Sequence, residues 1–246
     1  MTDADGTALL AASGLKKRFG ALVVLDGVDF SVGADEAVGI VGPNGAGKTT
    51  LLSLFAGSQR PDGGMVRFRG ADITSTGAAS RCRLGIARAY QVPKPFGGMT
   101  VFENALVGAS TGGRRRGHEA YRRVVEVLDL CELTPLANRP ADSLGLLHRK
   151  RLELARALAT GPEVLLLDEI GAGLTDEEAA QLVETIRELR RQRVAIVWIE
   201  HIVHVLVQVV GRLVAMDSGR VIAEGAPEAV MKDAVVIDAY LGTAAV

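Results

Sequence analysis

The 246-residue sequence predicts an α/β fold: a mostly parallel sheet, an antiparallel β subdomain and an inserted helical subdomain. Three observations carry that expectation. Short apolar runs alternate with helical stretches toward both ends of the chain. The run "EVLLLDE" (163–169) is continuously apolar up to its two acids, as a strand covered on both faces is. Between about 101 and 158, strand signals thin out and helical spacing takes over. The expected organisation is one domain over 1–246, its core at about 1–100 and 159–246 and its helical subdomain at about 101–158.

In chain order, "ALVVLDGVDFSV" (21–32) partly alternates and predicts an antiparallel strand region. "EAVGIVG" (36–42) is a short strand ending in glycine, and "KTTLLSLFAG" (48–57) is a helix closed by Gly57. "GGMVRFRG" (63–70) is a strand between turn residues. "RLGIARAYQ" (83–91) holds a strand ending near Gln91, and "VPKPFGGMT" (92–100) is a loop. "VFENALVGA", "HEAYRRVVEVLDLCEL" and "HRKRLELARALA" carry helical spacing. "TGGRRRG" between them reads as a flexible loop, with Arg114–Arg116 a solvated charge run. After the strand at 163–169 come a helix at about 176–192, a strand at 194–200, another helix, and strands in 212–219 and 220–225.

Composition narrows the function. Hydrophobic residues are 48% of the chain and aromatics only 4%, so the core is large and aliphatic. A formal net charge of -1 gives no basic face for nucleic acid. The two cysteines, Cys82 and Cys131, lie far apart without CxxC spacing. That argues against a disulfide framework or zinc site and fits a reducing cytosol. The N-terminus lacks the pattern of a signal peptide. No apolar stretch approaches the ~20 residues that span a bilayer, so any membrane role runs through a partner.

"GPNGAGKTT" (42–50) fits G-x-x-x-x-G-K-[ST]. Polyphosphate needs many donors at close range. Glycines let consecutive backbone N–H groups turn inward, and the following helix adds its free N–H groups and positive dipole end. The expected nucleotide-binding residues are therefore Gly42, Pro43, Asn44, Gly45, Ala46, Gly47, Lys48, Thr49 and Thr50. Lys48 suits the β- and γ-phosphates and the Thr49 hydroxyl suits magnesium. Asp168 and Glu169 stand at the end of a buried strand, where parallel sheets place ligands. Asp168 suits Mg2+, directly or through water, and Glu169 suits the general base. The expected cofactors are ATP and Mg2+ on a P-loop NTPase core.

With these parts in this order, the chain resembles an ABC-type ATPase subunit over nearly its whole length. Gln91 at a strand end, the helical lobe, "RKRLELARALATGPEV" and "WIEH" complete the series. The resemblance implies further roles. Gln91 is similar to the glutamine that senses magnesium and the attacking water, and the loop after it to a contact with a membrane subunit. His201 resembles the switch histidine at the γ-phosphate. Phe19 resembles the aromatic that stacks on adenine, and "GAGLTDEE" (171–178) the loop that crosses a dimer interface. His118, His148 and His204 read as ordinary surface or packing residues. "ARAYQVPKPFGGMTVFENALVGA" and the ending "GAPEAVMKDAVVIDAYLG", with Tyr240–Gly242, resemble the ATPase subunits of branched-chain amino acid importers. A lipopolysaccharide-export ATPase group shares parts of this ending.

Three departures stand out. Ile170 replaces the usual proline after "DE". Thr175 replaces aspartate or asparagine in the interface loop. At the start of the signature helix, Leu144, Gly145, Leu146, Leu147 and His148 align with Leu-Ser-Gly-Gly-Gln. The serine hydroxyl is absent, yet the helix N-terminus can still attract a γ-phosphate. The resemblance implies a transporter motor, cytoplasmic and peripheral on the inner membrane face. Its partners would be permease subunits, a second ATPase subunit in a homo- or heterodimer and, indirectly, a solute-binding protein. Two alternatives are a regulatory subunit with little hydrolysis and a soluble ABC ATPase acting on ribosomes or DNA.

Overall fold

The computed structural model describes residues 8–242. One sheet is four-stranded and antiparallel, in the order β2 (Leu22–Gly33), β1 (Ala8–Phe19), β4 (Gly63–Phe68), β5 (Ala71–Asp72). The other is six-stranded: β10 (Arg220–Gly225), β9 (Arg212–Asp217), β3 (Ala37–Val41), β8 (Ala195–Ile199), β7 (Val164–Asp168), β6 (Ile86–Ala89). Its pairs are parallel except β9–β10. The expected mixture of mostly parallel sheet and antiparallel subdomain is therefore present.

Every residue of β3, β7 and β8 is buried. Their alternate side chains feed two cores. Val38, Ile40, Leu166 and Val197 face the antiparallel sheet and α1 (Lys48–Ala56). Leu165, Leu167, Ile196 and Trp198 face the helices on the other side. That two-sided burial is why these strands read as unbroken apolar runs. Each buried aliphatic contributes about 1.5–3 kcal/mol, so the two cores fix the strand ends on which the site stands.

Helix α2 (Ala78–Leu84) follows the antiparallel sheet and carries the fully buried Arg81. Its guanidinium donates to the carbonyls of Leu54, Phe55 and Ile73, and burial lowers its pKa to about 10. In the helical segment, α3 (Val101–Val107) begins on a Thr100–Glu103 capping box and runs into a π-helical turn at Gly108–Gly112. It packs with α4 (Gly117–Leu130) and α5 (Leu146–Ala159) over a core continuous with the sheet. The remaining helices are α6 (Asp176–Arg191), α7 (Val203–Leu206), α8 (Pro227–Val230) and α9 (Ala234–Gly242). Among the described residues, no helix is long and apolar enough to cross a membrane.

Two elements fall outside the expected ones, and one expectation needs correction. Strand β1 was not foreseen, because its register with β2 shifts between Ala12 and Leu15, where Gly14 takes a φ of 58°, and the bulge breaks the two-residue period. Helix α2 is too short to show periodicity. The stretch "TGGRRRG" is not simply a solvated loop. Its first two residues finish the π-helical turn, and Arg115 reaches the carbonyls of Ala159 and Thr160 and pairs with Glu119. Arg114 and Arg116 are exposed, as expected of a solvated run.

Candidate active site

The loop 42–47 leaves β3 at the end of the parallel sheet and enters α1, the position where such sheets hold ligands. At two places only glycine fits. Gly42 has a φ of 146°, and a Cβ there would meet the Met216 carbonyl at 2.0 Å. Gly47 has a φ of 99°, and a Cβ there would lie 2.7 Å from the Val24 carbonyl. Gly47 is also the N-cap of α1, and no side chain caps that helix. The first internal bond is Leu51 N–H to Gly47 O at 2.9 Å, which leaves the earlier N–H groups of the first turn for a ligand. Ala46 and Pro43 are buried, while Asn44 and Gly45 sit exposed at the loop tip. The loop lines a crevice of about 280 Å³ together with Leu22, Val24, Thr50 and Glu169.

Lys48 is buried and donates to the carbonyls of Gly42 at 2.6 Å and Pro43 at 2.9 Å. Burial pushes its pKa down, and the charges of Glu169 and Asp168 partly oppose that. Thr49 Oγ1 donates to Asp168 Oδ1 at 3.3 Å. The other Asp168 oxygen takes Arg88 Nη2 at 2.5 Å, and Arg88 Nη1 donates to Ser53 Oγ at 2.9 Å. Both side chains of this ion pair are nearly inaccessible, at 6% and 5% exposure. Arg88 is not among the residues expected at the site. Its signal was a lone arginine inside the apolar strand "GIARA", which needs a buried partner.

Glu169 turns out of β7 in a left-handed conformation, φ 48°, anchored by its N–H to Ile199 O at 2.9 Å. Its Oε2 accepts from Gln91 Nε2 at 2.6 Å and its Oε1 lies 2.7 Å from His201 Nε2. The structure thus brings together Gln91, Glu169 and His201, which 110 residues of sequence separate end to end. Gln91 bonds to Glu169, while Asp168 takes Thr49 and Arg88. All but Glu169 of these Thr49-side groups line one cavity of about 430 Å³. Lys150 Nζ donates to Gln91 O at 3.0 Å and Arg156 to Lys94 O at 2.8 Å, so α5 grips the Gln91 loop.

Glu200, next to His201, is likewise not among the expected site residues. Its Oε1 accepts the Gly171 N–H at 2.6 Å and Trp198 Nε1 at 3.3 Å. Burial pushes its carboxyl upward, and those hydrogen bonds partly oppose the shift. It braces the loop after Glu169 from below.

Phe19 lies at the tip of the β1–β2 hairpin, paired with Leu22 and 47% exposed, with Lys17 Nζ 5.4 Å from its ring centre. It is therefore free of the core. The departures have physical explanations. Ile170 is buried in the helical-side core. Thr175 is the N-cap of α6 and forms a capping box with Glu178, a role aspartate or asparagine also fills. At α5, Gly145 is an N-cap without a side-chain hydrogen bond. Leu144 is buried beneath the turn, Leu146 is 45% exposed, and Leu147 and His148 are half-buried. Ser143, the nearest hydroxyl, donates to Pro140 O instead. Leu146 leans toward Gly173, where an added Cβ would meet its Cδ2 at 3.3 Å.

A phosphate-type loop between two sheets, a helical insertion and a carboxylate flanked by glutamine and histidine define an ABC-type ATP-binding cassette. The chain belongs to the ABC transporter family, which it matches over residues 25–172, and it is an ATP-hydrolysing subunit of that family. Residues 220–246 match the branched-chain amino acid ATP-binding cassette transporter C-terminal family. The chain is 36% identical to the high-affinity branched-chain amino acid transport ATP-binding protein LivG of Escherichia coli, covering 96% of this chain and 98% of that one. It is 35% identical, over the same shares, to the corresponding protein BraF of Pseudomonas aeruginosa. The ADP conformation of an ATP-binding cassette of an ABC transporter superposes with a TM-score of 0.87 at 31% identity, covering 96% of this chain and 99% of that one. These likenesses do not favour the regulatory or non-transport alternatives.

Proposed function

We propose that the chain hydrolyses ATP in this crevice to drive import of branched-chain amino acids or a related small solute. The observation that carries the mechanism is the Glu169 carboxylate, held between Gln91 and His201 beside the loop that bears Lys48. The loop N–H groups of Asn44, Gly45 and Gly47 and those of the first turn of α1 bind the phosphates, the Gly42 N–H being taken by the Tyr240 hydroxyl and that of Ala46 by the Pro43 carbonyl. On nucleotide entry Lys48 exchanges its two loop carbonyls for phosphate oxygens. Glu169 accepts a proton from the attacking water, Gln91 orients that water, and His201 donates toward the γ-phosphate. Phe19 and the hairpin hold the adenine.

Thr49 and Asp168, with Gln91 nearby, offer hard oxygen donors too few to cage a metal alone. That set suits Mg2+, which keeps phosphate and water ligands. Bound there, Mg2+ would neutralise charge on the β- and γ-phosphates.

The chain works on the cytoplasmic face of the membrane, attached to permease subunits and fed by a solute-binding protein. Residues 101–158 form the helical subdomain, and 1–100 with 159–246 form the core. The exposed loop side chains Val92, Phe96 and Met99 support the permease contact. A second ATPase subunit completes each site, because the α5 N-terminus serves the partner's nucleotide. The bare Gly145 cap and exposed Leu146 favour a heteromeric pair with unequal sites. Reconstitution with its permeases, solute-binding protein and partner ATPase in vesicles tests the reading. ATP-dependent uptake of leucine, isoleucine or valine is expected. Hydrolysis that no branched-chain or related solute stimulates would refute it.

A further inference from the structure

Tyr240, in the Tyr-Leu-Gly ending of the chain, touches the phosphate loop. Its hydroxyl accepts the Gly42 N–H at 2.8 Å, across 198 positions of sequence. Gly42 is the hinge where β3 ends and the loop begins. It is buried and backed so closely by the Met216 carbonyl that it tolerates little displacement.

Two features make the contact a built one. Val236, one helical turn before Tyr240, is 1% exposed and anchors α9 in the helical-side core, where Tyr240 packs beside it. Helix α9 also packs on β10, and the β9–β10 turn meets the loop at its far shoulder, where Gly219 N–H donates to Ala46 O at 3.2 Å. The loop is thus held at Gly42 by the C-terminal helix and at Ala46 by the neighbouring turn. Burial raises the Tyr240 hydroxyl above its ordinary range, which keeps it neutral at physiological pH.

We propose that Tyr240 is a positioning residue for the phosphate loop, holding Gly42 so that the loop is preshaped for nucleotide phosphates. The C-terminal segment then sets ATP affinity without touching ATP. This rests on the reading that residues 42–50 bind those phosphates. A preshaped loop binds without first being ordered, whereas a buried N–H left without its acceptor drives the hinge to rearrange.

Tyr240→Phe removes the acceptor and keeps the ring. In the purified full chain, ATP Kd should weaken about five-fold, the cost of one such bond. Amide exchange across residues 38–47 should quicken. In the assembled transporter, KM for ATP should rise while kcat at saturating ATP holds. Unchanged Kd and unchanged loop exchange would overturn the proposal, with or without a lower Tm, since packing alone could move Tm. Lys48→Ala is measured alongside. If it binds ATP as well as wild type, the phosphate-loop reading fails, while the exchange of the Gly42 segment still decides whether Tyr240 holds the loop.

Discussion

Arg88 and Asp168 form a buried ion pair beside Thr49 in the candidate site, Nη2 to Oδ2 at 2.5 Å. The guanidinium fixes the carboxylate so that its other oxygen faces Thr49. Removing one member of a buried pair leaves the other charge uncompensated, at a cost of about 3–5 kcal/mol. Arg88→Met should lower stability by about that amount in urea unfolding, and an unchanged midpoint would show that the pair contributes nothing net.

Glu200 yields a pH prediction. Its folded pKa lies above its unfolded value of 4.5, chiefly through burial. The native state therefore keeps the proton longer as pH rises. The protonated carboxyl's contribution to stability is complete below pH 4.5 and is lost as pH climbs through the raised value. Glu200→Gln keeps an oxygen for the Gly171 N–H without the charge. It should be more stable than wild type at neutral pH, with the difference shrinking below pH 4.5. Paired urea titrations at the two pH values measure this, and a difference independent of pH would contradict it.

Thr175 caps α6 in place of the expected acid or amide. Thr175→Ala should cost about 1 kcal/mol, and Thr175→Asp should be nearly neutral. Thermal unfolding of the two variants distinguishes a capping role from a purely cross-subunit one, for which the isolated chain would show no loss.

Much of the candidate site was legible because its residues lie in contiguous runs. "GPNGAGKTT", "LLLDE" and "WIEH" each mark where an apolar strand ends in glycine or polar residues. What stayed hidden depends on distant partners. Arg88 meets Asp168 across 80 positions, and Glu200 braces Gly171 across 29. The role of Tyr240 required knowing where α9 docks. Strand β1 was hidden by its bulge at Gly14, and α2 by its seven-residue length.

The α5 N-terminus predicts unequal sites in a heteromeric pair. In a transporter whose own Lys48 is replaced by alanine, only the partner's phosphate loop remains to hydrolyse ATP. Restoring serine and two glycines at Gly145, Leu146 and Leu147 should then raise the residual rate. The serine hydroxyl caps the helix and the glycines admit closer approach. An unchanged or lower rate would show that the leucines do not limit that site.

Glu169 is the proposed base for ATP hydrolysis. In the assembled transporter, Glu169→Gln preserves the shape of the side chain and its reach to Gln91 and His201. Single-turnover ATP hydrolysis by this variant, measured together with ATP retention, is the most direct test. ATP should stay bound while cleavage at this site slows about 100-fold or more. Cleavage at a rate near wild type would contradict the assignment.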